Sequence, residues 1–151
     1  MRVFSDSRIL VVLISIGALV TMAGCQAAPV GPQIECHDVW GRTSPKSATN
    51  GAVYLVIENK GSEADRLIGA SSPVAETVEL HEHIEEDGVM KMRPIEGLDI
   101  PARGQVELKP GGYHVMLIGL LETLEVGDGI SVTLMFEKSG EITLEAEIRE
   151  L

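Results

Sequence analysis

Residues 76–93 read ETVELHEHIEEDGVMKMR, and this stretch decides the architecture. Val78 and Leu80 alternate with polar neighbours, as a half-buried strand should. Asp87-Gly88 is a strong turn signal and folds Val89 to Arg93 back on that strand as a hairpin. Working outward, Gly51 to Asn59 (GAVYLVIEN) is a second strand, closed by Asn59-Lys60-Gly61. Ile34 to Trp40 starts the sheet, and Asp65 to Ser71 follows the Asn59-Lys60-Gly61 turn. Gln105 to Leu108, Tyr113 to Ile118, Gly129 to Glu137 and Glu141 to Arg149 complete the strands, with Ser139-Gly140 turning between the last two. Sixteen glycines and seven prolines supply the turns this many strands need. Residues 120–126 are the one place where a helical turn is expected, and no long amphipathic helix appears. The pattern predicts an all-β sandwich or barrel of Greek-key type. Aromatic residues make up only 3% of the chain, so Val, Ile and Leu must fill the core, with Trp40 packing in it or at its rim.

The N-terminus sets the compartment. Arg2 and Arg8 precede an apolar run, ILVVLISIGALVTMAG, that ends at Cys25. The run is shorter than the roughly 20 apolar residues of a spanning helix and finishes in small residues, so residues 1–24 read as a cleaved signal peptide. Met22-Ala23-Gly24-Cys25 resembles a bacterial lipobox, which makes Cys25 the lipidated first residue of an extracytoplasmic, membrane-anchored lipoprotein. Cleavage a few residues later would release a soluble protein instead. Residues 25–33, with Pro29, Gly31 and Pro32, read as a tether, leaving 34–151 as one domain with a real core. The formal charge is −11, and losing Arg2, Arg8 and Asp6 makes the mature chain one unit more acidic. Such a balance excludes phosphate-driven nucleic-acid binding and suits docking on a basic partner. With Cys25 assigned to lipid, Cys36 is alone, so no disulfide framework holds the fold.

Soft donors are the chemical signal. His81, Met92, His114 and Met116 supply two imidazoles and two thioethers, and a thioether favours Cu(I) over zinc, magnesium or calcium. Strand geometry puts His114 and Met116 side by side on one face, and the hairpin brings His81 towards Met92. Singly, each residue has an ordinary reading: a strand histidine on the surface, a strand methionine as core filling. His83 shares a face with His81, and Met90 shares one with Met92, so both are possible auxiliary contacts at the rim. His37, beside Cys36, reads as an isolated surface histidine before a separate weak site, and Cys36 as a half-buried cysteine near the start of the first strand before a metal ligand or reactive thiol. Glu82, Glu85, Glu86 and Asp87 crowd the turn, as a solvated hairpin would.

Ten residues separate His81 from Met92, twenty-one separate Met92 from His114, and one separates His114 from Met116. This spacing resembles the hallmark of the PCu(A)C copper chaperones. The flanking text LHEHIEEDGVMKMRPIEGLDIPARGQVELKPGGYHVML, with AVYLVIENKG and DRLIGASSPVAETVELHE upstream, is similar to that family from about residue 34 to 149. The resemblance implies a cupredoxin-like Greek-key β-sandwich whose ligands His81, Met92, His114 and Met116 carry Cu(I). It also implies delivery to respiratory cytochrome c oxidase, especially the dinuclear copper centre of its second subunit, or to another copper chaperone. The chain departs from some relatives in having no His- and Met-rich tail, and from freely diffusing members in its lipobox.

Two rivals stand beside that reading. A cupredoxin-type electron carrier needs a thiolate beside its histidines, and Cys36 is far in sequence from His114. A metal-free acidic lipoprotein interaction module needs no donors at all. No nucleophile motif, phosphate loop or zinc triad marks an enzyme.

Overall fold

The computed structural model describes residues 30–151. The signal peptide over 1–24, the lipidation site Cys25 and the first part of the tether lie outside the described residues. Ten strands follow in order: β1 (Ile34–Arg42), β2 (Asn50–Asn59), β3 (Asp65–Ser71), β4 (Ala75–Glu86), β5 (Val89–Pro94), β6 (Leu98–Ile100), β7 (Gly104–Leu108), β8 (His114–Leu120), β9 (Gly129–Phe136) and β10 (Gly140–Arg149). They run β5-β4-β8-β2-β1-β10-β9-β3-β6, with β7 paired to β2. The path doubles back around one core, so the expected all-β class holds.

Alternation builds that core. Val53, Leu55 and Ile57 of β2, Val115 and Leu117 of β8, Val132 and Leu134 of β9, and Ile148 of β10 are all buried. The residues between them along each strand face the other way. As expected from the composition, aliphatic residues dominate, and Phe136 is the one phenylalanine among the buried core residues.

Two details depart from the sequence reading. Residues 121–126 form no helical turn; instead buried Leu124 anchors the β1–β2 loop, its N–H donating to Ser44 Oγ at 3.1 Å and its carbonyl accepting from Ser44 N at 3.0 Å. Leu98–Ile100 is a strand against β3, too short to show periodicity between Gly97 and Pro101. Of the two places expected for it, Trp40 takes the rim, half-buried with its ring centroid 4.6 Å from that of Tyr54: the β1–β2 register slips between His37 and Trp40, where Asp38 has φ 48°. This bulge sets Trp40 opposite Tyr54 rather than towards the core. The end of the tether is pinned, with Lys60 N–H donating to Gln33 O and Ser62 N–H to Gly31 O. Gly61 permits this crossing, because a Cβ there would lie 2.1 Å from the Gly31 carbonyl oxygen.

Candidate metal centre

The hairpin turn fixes where the donors stand. Asp87 and Gly88 both have positive φ, 54° and 77°, as a two-residue turn matched to strand twist requires. Glu86 therefore pairs with Val89, and counting inward puts His83 opposite Met92 and His81 opposite Pro94. The direct partner of Met92 is thus His83, while His81 is its diagonal neighbour on the same face. On the other side of β4, His81 pairs with His114 and Glu79 with Met116.

Paired residues share a face, so β5, β4 and β8 present Met90, Met92, His83, His81, His114 and Met116 together on the side away from the core. All four proposed donors and both auxiliary residues lie on this surface. The His81 and His114 ring centroids are 5.8 Å apart, and those of His83 and His114 are 4.9 Å apart. An open cleft of about 310 Å³ is lined by His83, Met92, His114, Met116 and Tyr54, with residues 42–45 of the β1–β2 loop forming another wall. His81 stands beside this lining, its side chain 12% exposed. Met90 pairs with Glu85 nearer the turn and is exposed.

Each inner histidine is held by one nitrogen and free at the other. His114 Nδ1 lies 3.1 Å from the Gly112 carbonyl oxygen; a carbonyl only accepts, so Nδ1 carries the proton and Nε2 a lone pair. His81 Nε2 likewise donates to Glu79 Oε2 at 2.8 Å, leaving Nδ1 as the lone-pair nitrogen. His114 Nε2 and His81 Nδ1 are the two buried side-chain polar atoms without a hydrogen-bond partner among the described residues. Metal-binding histidines commonly show this arrangement, one nitrogen oriented by a carbonyl or carboxylate and the other available to the metal. The donor set and its orientation thus fit a soft metal ion. Burial lowers the His114 pKa from its ordinary 6.5; the neighbouring His83 and His81 add to the effect, and the Gly112 hydrogen bond opposes it.

Cys36 is elsewhere. It pairs with Ile57 and packs against the core, whereas His114 faces away from it. Ile57 lies four positions along β2 from Val53, the neighbour of Val115, a span of roughly 13 Å at about 3.3 Å per residue. Burial also pushes the Cys36 thiol up to about 11. His37 forms a separate exposed cluster with Glu35 and Glu58, its Nε2 lying 3.1 Å from Glu58 Oε2 while Lys60 pairs with Glu35.

Residues 34–148 match the profile of the family described as "Putative lipoprotein LpqE-like". The chain belongs to the LpqE-like family. It is 36% identical over 104 residues to a Leifsonia xyli subsp. xyli protein described as a putative lipoprotein, covering 68% of this chain and 61% of that protein. The chain therefore spans less than two thirds of this curated relative. Among solved structures, the copper-bound PCuAC domain from PmoF2 superposes with a TM-score of 0.68 at 28% identity, covering 82% of this chain and 97% of the other. The Cu(I) form of DR1885 from Deinococcus radiodurans gives 0.57 at 32% identity, covering 85% and 83%. The LpqE-like domain thus has the PCuAC fold, the cupredoxin-like sandwich that the resemblance implied.

Proposed function

We propose that this LpqE-like protein is an extracytoplasmic copper chaperone. It binds Cu(I) through His81, Met92, His114 and Met116 and delivers it to the copper centre of cytochrome c oxidase. The observation that carries the reading is the pair of buried, unpartnered imidazole nitrogens, His81 Nδ1 and His114 Nε2, on the face that also presents Met92 and Met116. The copper-bound and Cu(I)-bound structural neighbours support it.

The donors suit carriage. Neutral imidazole and thioether ligands bring no thiolate charge to lock copper in place. Met92, 53% exposed on the edge strand β5, is within reach of an acceptor's ligands, which replace the site's own one at a time. A lipid on Cys25 would confine this exchange to a membrane surface.

The test is transfer from the copper-loaded protein to an apo oxidase copper domain. Transfer faster than spontaneous copper release is expected; a rate equal to free release would count against direct handover. Absence of copper binding in the wild type and His114→Ala alike would favour the metal-free interaction module.

A further inference from the structure

The cleft beside the proposed donors runs against the charge of the rest of the molecule. The chain carries a net charge of −11, yet no acidic residue among those described lines the cleft. Residues 39–57 contain no aspartate or glutamate, and Arg42 and Lys46 are their charges. Arg42, at the end of β1, lines the cleft with Met92, His114 and Met116. Arg66, Arg93 and Arg149 each hold a carboxylate, whereas Arg42 and Lys46 are exposed and have no such partner among the described residues. Burial raises the pKa of Tyr54, another lining residue, and the Arg42 charge opposes that rise. The wall that carries the two cations is fixed in place: Thr43 Oγ1 donates to the Leu124 carbonyl at 2.9 Å and Ser44 N to the same oxygen at 3.0 Å.

A guanidinium without a carboxylate of its own, in a cleft without acids, is complementary to a carboxylate brought from outside. We infer that Arg42 and Lys46 form the docking surface for an acidic segment of the copper acceptor, which enters the cleft beside Met92. The inference rests on the chaperone reading above and adds the chemistry of the partner's contact. Charge complementarity of this kind raises the rate of encounter and fixes orientation more than it adds affinity. The acidic remainder of the surface repels the same segment, so productive encounters are confined to the one face where copper can leave. An acceptor guided to Arg42 arrives at the exposed thioether, the ligand proposed to be exchanged first.

The experiment mixes the full-length, Cu(I)-loaded chain in detergent with an apo oxidase copper domain under anaerobic stopped flow at rising salt. Wild-type transfer should slow as salt rises. Arg42→Glu should be about tenfold slower at low salt and lose that dependence, with a smaller loss in Lys46→Glu. Cu(I) affinity, measured by chelator competition, should be unchanged in both. Should Arg42→Glu fold poorly, Arg42→Gln reports the same loss of salt dependence. A hexa-aspartate peptide should slow wild-type transfer, and a hexalysine peptide should not. Transfer by Arg42→Glu as fast as wild type, or wild-type transfer that quickens with salt, would overturn the inference while leaving the chaperone reading intact. Acetate that slows transfer as strongly as hexa-aspartate, at equal carboxylate concentration and ionic strength, would also overturn it, in favour of a small-anion site. If the wild type yields copper no faster than by free release, the delivery reading fails and this inference with it.

Discussion

β8 and β5 both contribute donors to the same face, yet they are opposite in character. His114 is 2% exposed, and Val115 and Leu117 beside it are fully buried; every residue of β5 is exposed. β8 is hydrogen-bonded on both sides, by β4 and β2, whereas β5 ends the sheet with β4 as its one neighbour. One strand can hold a metal in a fixed place, and the other can give up its contact with little disturbance to the fold. A site that both retains and releases its cargo benefits from that division.

The largest effect should come from the packing beneath β8. Leu117→Ala opens a cavity in the core and should cost about 2–5 kcal/mol of stability, while Val89→Ala on the exposed hairpin should stay within about 0.5 kcal/mol. Denaturant unfolding of the apo protein measures both. Equal losses would mean that the hairpin is as integral to the fold as β8.

The donors should divide in the same way. His114→Ala removes the buried imidazole of the proposed donor set and should weaken Cu(I) by more than the roughly 10- to 100-fold typical of losing an outer-shell partner. Met92→Ala should cost less, about tenfold, leave the unfolding midpoint unchanged, and speed copper release to an acceptor. Chelator competition and stopped-flow transfer report these quantities. A Met92 variant weaker than the His114 variant would reverse the assignment of anchor and releasable ligand.

Much of this division was legible in the sequence. Alternation in TVELH and the Asp87-Gly88 turn located the hairpin, and His114-x-Met116 could share a face only on a strand. The turn also contained the cross-strand partners: two residues with positive φ force Glu86 against Val89, and counting from there pairs Met92 with His83 rather than His81. What no local pattern revealed was the neighbour across β4 and β8, because strands 28 or more residues apart are brought together by the whole fold, as the His81 to His114 pairing shows. Which of core and rim Trp40 would take was hidden for a similar reason: the bulge at Asp38 reverses its face. The role of Leu124 depends on the β1–β2 loop that it meets only in the folded chain.

A pH experiment sharpens the contrast from the side of the anchor. His114 has a pKa below its ordinary 6.5 in the folded protein, chiefly because burial disfavours the imidazolium. Above 6.5 the ring is neutral both folded and unfolded, so it adds no pH dependence to stability. Below that value the unfolded chain takes up the proton first, and the apo protein loses stability until the pH passes the lowered folded value. In the folded protein, by contrast, the Nε2 lone pair survives to a lower pH than that of an exposed histidine, so loss of copper affinity through His114 is delayed on acidification. Unfolding of apo wild type and His114→Ala between about pH 7 and 5 should therefore diverge, with the wild type showing the steeper acid decline. Identical slopes would mean that β8 does not hold its histidine in the neutral form, and that the buried strand is no better prepared for metal than the exposed one.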